Sequence, residues 1–305
     1  MNDFRENAIG ISAILACCFF FILNDTMVKA AGDTLPLGQL LFLRGVLATA
    51  IIGAFAFATG ALRNIRAHLT PLVGWRTFGE VTATFLYLSA LLHLPIANAS
   101  TIAQAAPLVI TAAGAILFRE HVGWRRWTAV SVGFVGILLI VRPGTEGFNA
   151  YSLLVLASVF MVVLRDIVTR YIPATTPTLT IAFVTSASVM VASGGLAATE
   201  DWQPVGLGEA GLLAGSAVSV LLGFVLSIVA MRHGDVSLVA PFRYSFILYA
   251  IFLGWLVWGD VPDAITFVGI AVVVSAGIYT VWRERVRVRE AKVAAAAAKT
   301  LAASA

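Results

Sequence analysis

Long apolar runs, broken at short intervals by charge, glycine or proline, set the pattern of this chain. Runs of roughly 18–24 apolar residues can cross a hydrocarbon core of ~30 Å at 1.5 Å of rise per residue. The pattern predicts ten helices, over 8–31, 36–58, 72–92, 96–118, 126–141, 150–170, 177–198, 209–230, 236–258 and 262–282. Turn signals punctuate them: Gly32-Asp33 with Pro36, His93-Leu94-Pro95, Arg142-Pro143-Gly144, Pro173 to Pro177 and Asp260 to Pro262. The short stretch 126–141, tightly bracketed by charge, carries the weakest signal of the ten.

Composition then fixes the solvent. The chain is 60% hydrophobic and 12% charged, with a mean hydropathy of +0.94. Soluble domains run near 45–50% apolar and about 25% charged, so this chain could not cover its own surface in water. Its expected partner is the lipid bilayer. The formal charge of +4 acquires its meaning from its distribution and does not point to nucleic acid. With the N-terminus inside, sixteen Lys and Arg fall on the inner side, against Lys29 and Arg142 outside. That asymmetry predicts cytoplasmic N- and C-termini. The tryptophans all lie near predicted helix ends, where interfacial belts form. The short polar start gives no sign of a cleavable signal, and the first apolar run is taken as a retained helix. The tail 286–305 is basic and then alanine-rich, a cytoplasmic anchor that frays.

A shift of about 140 residues lays one half of the chain on the other. Asp25, Lys29 and Pro36 fall on Asp166, Arg170 and Pro177; His93, Gly114, Phe118 and Glu120 fall on His233, Gly254, Trp258 and Asp260. A five-helix unit is odd-numbered, so its second copy enters from the opposite side. Inverted repeats of this kind mark secondary transporters, whose sites lie between the repeats near the midplane. The fold class expected is therefore an all-α polytopic membrane protein, with two inverted five-helix repeats (8–145 and 146–285) around a central cavity.

Several segments together carry a resemblance. Leu94-Pro95-Ile96-Ala97-Asn98-Ala99, Ala106-Pro107-Leu108, Phe118-Arg119-Glu120 and the helix of Gly133 and Gly136 resemble a first EamA repeat. Val239-Ala240-Pro241-Phe242-Arg243-Tyr244, Trp258-Gly259-Asp260-Val261-Pro262-Asp263, Gly269 and Gly277 resemble a second. Lys29, Pro36 and Arg44 match the family's opening helix pair, while Asp260 stands where the repeat usually has Glu. The chain thus resembles ten-helix members of the drug/metabolite transporter superfamily, nearest the YddG type of aromatic amino-acid exporter. The resemblance implies a small-molecule exporter working by alternating access in a bacterial cytoplasmic membrane.

Charged side chains inside lipid are costly and mark function by default. Asp25 and Lys29, four apart on one helix face, suit an ion pair near the outer interface or a coupling role. Glu80 and Arg243 lie at matched depth, ~10–12 Å from the inner side at 1.5 Å per residue. They are expected to form or flank an inner gate; a structural contact, for instance between Glu80 and Arg76, is the rival. Asn24, Tyr87, Ser100, Thr101, Gln104, Tyr244 and Tyr249 complete the expected substrate-binding set, against the plainer reading of interhelical hydrogen bonds. Pro107 and Pro241 deny helix carbonyls their usual partners, serving cargo, a hinge or a simple kink.

No cofactor, metal or catalytic residue is expected. Four scattered histidines make no metal site, and Cys17 and Cys18, adjacent on one helix, form no disulfide framework. No Walker A, HExxH or GxSxG sequence occurs. The pattern Gly206-x-Gly-x-x-Gly211 opens a membrane helix with no strand before it and is discarded as a dinucleotide motif. Gly211 and Gly215 suit close helix packing. Two alternatives stay open: efflux of drug-like cations, which anionic cavity lining would favour, and an intramembrane enzyme, which a nucleophile–base pair would favour. The sequence sets no oligomeric state.

Overall fold

The computed structural model describes residues 2–117, 124–143, 148–173, 175–232, 239–280, 282–283 and 286. Phe118-Arg119-Glu120, His233 and the tail from 287 lie outside the described residues. Among the described residues ten helical spans follow one another: α1 (Asn2–Gly32), α2 (Leu37–Ala58), α3 (Pro71–Leu91), α4, α5 (Trp124–Val141), α6 (Tyr151–Tyr171), α7 (Thr178–Ala197), α8 (Leu207–Arg232), α9 and α10 (Ala264–Thr280). A single turn, Ile65–His68, lies between α2 and α3. Two spans are irregular. α4 is split into Ile96–Ala103 and Ala106–Leu117, and α9 opens as a 3-10 turn, Ala240–Tyr244, before Ser245–Trp258.

Seven of these spans pass a strict test of length and apolarity, and α5 and α10 are shorter apolar helices. α3 falls outside both groups, since it carries Arg76, Glu80 and several hydroxyls. Those polar groups turn towards protein, so α3 tolerates a lower hydropathy than a lipid-facing helix. The lipid-facing exterior is correspondingly apolar. Trp75, Trp124, Trp202, Trp255 and Trp282 are all half or more exposed.

The packing partners cross between repeats. α1 packs on α8, α3 on α6, α2 on α7 and α4 on α9. Exchanging the repeats converts the α1–α8 pair into α6–α3 and leaves the other two pairs in place, as a pseudo-two-fold requires. At α5–α10 the backbones nearly touch, since a Cβ on Gly136 would lie 3.0 Å from the Gly269 carbonyl. Gly215 packs against Met27 of α1, but Gly211 faces open space, so only one of that pair serves helix packing.

The loops show the inversion directly. At one face Thr34 reaches Glu209, His93 stacks on Tyr151 at 3.9 Å, and Arg142 pairs with Asp263. α1 therefore ends at the face where α6 begins. At the opposite face Thr180 donates to the Ala61 carbonyl. The first face is sealed. Its core includes Val28, Ala31, Leu35, Leu40, Leu91 and Leu94, all buried.

Two devices hold the sealed face. Glu200, in the acidic loop after α7, accepts the Gly38 and Gln39 backbone N–H groups, each at 3.0 Å. The first turn of α2 has orphan donors and a positive dipole end, and a carboxylate answers both. Gly38 permits that approach, since a Cβ there would sit 2.6 Å from the Ala197 nitrogen. The second device is Arg142, which ends α5 with φ 52° and donates to Asp263. Asp263 in turn caps α10 by accepting the Thr266 N–H at 2.9 Å. The Arg142 guanidinium, helped by Thr266, holds the Asp263 carboxyl well below the ordinary carboxylate range.

Glu200→Ala should lower stability by about 1–2 kcal/mol, the cost of losing a charged helix cap, read as an earlier thermal unfolding transition in detergent. The lowered Asp263 value means that its contribution is complete above the unfolded Asp value of about 4 and fades only as pH falls below it. Distance measurements between spin labels on the sealed ends of α5 and α10 should therefore stay constant from about pH 8 to 5. In Asp263→Asn they should broaden over that whole range.

Candidate functional site

A cavity of about 840 Å³ lies between the repeats, lined from α1, α3, α4, α6, α8, α9 and α10. Helical periodicity explains which residues face it. On α1 the lining stripe is Ile14, Cys17, Cys18, Phe21 and Asp25; on α3 it is Glu80, Ala83, Thr84 and Tyr87. These spacings of three, four and seven place each set on one helix face. α6 contributes Ser158, Val162, Arg165, Asp166 and Arg170. Asp25 and Tyr87 form the floor next to the sealed face. Arg170, exposed in the last turn of α6, stands at the mouth. The cavity opens to the face opposite the Arg142–Asp263 pair.

The floor is a buried polar group. Asp25 accepts hydrogen bonds from the Tyr87 hydroxyl at 2.8 Å and the Asn24 amide at 2.9 Å. Lys29, one turn away, does not pair with it. Its ammonium donates to the Leu91 carbonyl at 2.9 Å and to the Leu94 carbonyl, and lies 5.3 Å from the centre of the Trp258 ring. The expected Asp25–Lys29 ion pair is thus replaced by a lysine capping the end of α3, where helix carbonyls lack backbone partners.

Nearer the mouth, Arg165 holds Glu80 at 2.8 Å and Asp166 at 2.8 Å. Glu80 and Arg243 both line the cavity, but Glu80 is engaged by α6 in this conformation. Arg76 turns away to the Thr185 hydroxyl at 2.7 Å. The side chain of Arg243 is exposed to the cavity and makes no ion pair among the described residues. Its backbone is fixed instead: Gln104 Nε2 donates to the Arg243 carbonyl at 3.1 Å, and Cys18 Sγ lies 3.6 Å from the same oxygen.

The break in α4 decides which of its polar residues reach the cavity. Pro107 has no N–H to offer the Ala103 carbonyl, and the helix interrupts at Gln104. Gln104 turns into the cavity with Ala103 and Pro107. Ser100 and Thr101, in the regular turn before the break, are wholly buried, and Thr101 bonds back to the Ala97 carbonyl. Asn24 is buried behind Asp25, and Tyr249 packs edge-on against Phe19 at 5.6 Å. Of the expected binding set, Glu80, Tyr87, Gln104, Arg243 and Tyr244 line the cavity, and Asn24, Ser100, Thr101 and Tyr249 do not. Tyr244 is pressed against α10. A Cβ on Gly277 would meet its hydroxyl oxygen at 1.6 Å, so only glycine fits there.

Arg165, Thr84 and Ser158 belong to the lining but not to the sequence-predicted set. Thr84 shares a helix face with Glu80 and Tyr87, a spacing that could have identified it. Arg165 counts equally well as an inner-side positive charge, which hid its inward orientation. Three acids (Asp25, Glu80, Asp166) and three bases (Arg165, Arg170, Arg243) line the cavity, so its charge is balanced.

Known proteins resemble this chain in sequence along most of its length. The pseudopaline exporter CntI of Pseudomonas aeruginosa PAO1 is 29% identical over 272 residues, covering 88% of this chain and 94% of that protein. The S-adenosylmethionine uptake transporter of Rickettsia prowazekii is 24% identical over 290 residues, covering 93% and 97%. The riboflavin transporter of Vibrio cholerae is 28% identical over 271 residues, covering 85% and 88%. A solved crystal structure superposes with a TM-score of 0.61 at 21% identity, over 89% of this chain and 97% of that one, a likeness of fold. The model of the EamA-like transporter family matches residues 8–142 and again 149–282, once for each inverted half. With its paired repeats enclosing a central cavity, the chain belongs to the EamA-like transporter family.

Proposed function

We propose that this transporter exports amino acids, aromatic ones among them, or related small amphoteric metabolites by alternating access. Its setting is the cytoplasmic membrane of a bacterium, with both termini inside. Residues 8–145 and 146–285 act as its two moving halves, and 286–305 as a cytoplasmic tail. The observation that carries the reading is Arg243, a guanidinium exposed to the cavity and without an ion-pair partner among the described residues. A planar guanidinium in a confined, low-dielectric site suits a carboxylate.

The surroundings support an amphoteric cargo. The cavity charge is balanced, which disfavours both simple cations and polyanions. The Ala103 carbonyl, deprived of a Pro107 N–H, offers an acceptor for an ammonium group. Tyr87, Tyr244, Phe21 and Phe246 supply aromatic walls. A volume of about 840 Å³ falls within the range of small-molecule sites, which bury most of their ligand. Relatives named for pseudopaline export and S-adenosylmethionine uptake support a small-metabolite cargo. On the charge asymmetry of its loops, the cavity opens to the cytoplasm, the side from which an exporter loads.

Counterflow in proteoliposomes decides the cargo, with amino acids, larger amino-carboxylates and organic cations compared side by side. Amino-carboxylates should exchange and organic cations should not; the reverse pattern would move the chain to cation efflux. Arg243→Gln should raise the apparent KM for carboxylate cargo about tenfold to a hundredfold, the loss of one charge-assisted hydrogen bond. Unchanged transport in that variant would remove Arg243 from the site.

A further inference from the structure

Asp25 stands apart from the other acids of the cavity. Glu80 and Asp166 both form ion pairs with Arg165. Asp25 is buried on the cavity floor, yet its direct partners are neutral donors, the Tyr87 hydroxyl and the Asn24 amide. The lysine that could have neutralised it is committed to two carbonyls and the face of Trp258. Arg44 of α2 lies within electrostatic reach but forms no ion pair with it among the described residues. The remaining titratable neighbours are few. α3 brings Tyr87; α9 carries Arg243, Tyr244 and Tyr249; α8 has no titratable residue between Glu209 and Arg232.

Burial in a membrane interior favours the neutral carboxyl, whereas two hydrogen-bond donors and a nearby guanidinium favour the carboxylate. Such opposition leaves a group able to change state. Water reaches it through the open cavity, and the sealed face blocks escape to the other side. The amide of Asn24 fits both states. Its Oδ1 is buried without a partner, so a rotated amide could accept from a protonated Asp25 where it now donates to the carboxylate.

We propose that Asp25 is the proton-carrying group of the transport cycle. Its carboxylate takes a proton from water in the cavity, leaving the neutral acid, and returns that proton to water when the floor opens to the other face. Tyr87 positions the carboxylate. The inference rests on the transport reading above, but proton binding can be observed without a cargo.

Infrared difference spectra of the purified protein in lipid, recorded as pH is lowered from about 8 to 5, test the binding step. A protonated-carboxyl band should grow in, be absent in Asp25→Asn, and appear at higher pH in Tyr87→Phe, which removes a donor to the carboxylate. An identical band in Asp25→Asn would overturn the assignment. If Asp25→Asn does not fold, an unmoved band in Tyr87→Phe overturns it equally. Proteoliposomes with an internal pH dye test the coupling. A pH difference should drive cargo accumulation in the wild type, and Asp25→Asn should lose that accumulation. Normal counterflow that ignores the pH gradient, or follows a sodium gradient, overturns the proposal and leaves the transport reading intact. If no cargo class gives counterflow, the transport reading fails, and the infrared result still stands or falls alone.

Discussion

A lysine ammonium buried among α1, α3, α4 and α9 must find oxygen or remain unneutralised in hydrocarbon. Lys29 finds the carbonyls of Leu91 and Leu94, at the end of α3 and in the turn that follows. That choice ties α1 to α3 and α4, with Trp258 of α9 closing over the ammonium. Much else depends on it. At the sealed face the Lys29 ammonium is satisfied by backbone carbonyls. The cavity floor can carry an acid in a neutral hydrogen-bond setting because the obvious counter-ion is elsewhere. A charge-capped helix end thus separates two functions that a simple ion pair would have fused.

Around that fixed end, the cavity is made by helices whose regularity is interrupted on purpose-built sides. Gln104 and Arg243 sit at the irregular points of α4 and α9, at positions the repeat makes nearly equivalent, and a hydrogen bond joins them. Breaks of this sort are tolerated in a membrane only where the freed backbone is buried in protein or faces water. Here both conditions are met. The intact faces of α1, α3 and α6 line the remaining walls, so a mostly apolar chamber presents a few polar groups at defined heights.

Much of this was legible in the sequence, for identifiable reasons. Hydropathy marks nine of the ten spans, because lipid imposes its length requirement on each helix separately; α3, with Arg76 and Glu80, is the weaker one. The repeat is legible because Asp25, Lys29 and Pro36 recur in order at a constant shift. Partners across the bundle were less accessible. Matched depth suggested Glu80 with Arg243, but depth leaves rotation about the helix undetermined, and α6 brought Arg165 to Glu80 instead. Ser100 and Thr101 share a face with Gln104 in a continuous helix; the break at Pro107 separates them. Glu200 follows the acidic-outside pattern, which conceals that it caps α2 from more than half a chain away.

The crossed pairing of the halves also governs how the chain is assembled during synthesis. Insertion proceeds from the N-terminus, so α1, α2 and α3 enter the bilayer before α8, α7 and α6 exist to pack against them. Lys29 can be satisfied at once, since Leu91 and Leu94 belong to its own half. Glu80 cannot: its arginine arrives only with α6. The half-made protein therefore holds Glu80 in α3 without its Arg165 partner until the second repeat is threaded in. Assembly of this transporter therefore depends on the order in which its helices are made, because the ion pair that matches Glu80 spans the two repeats.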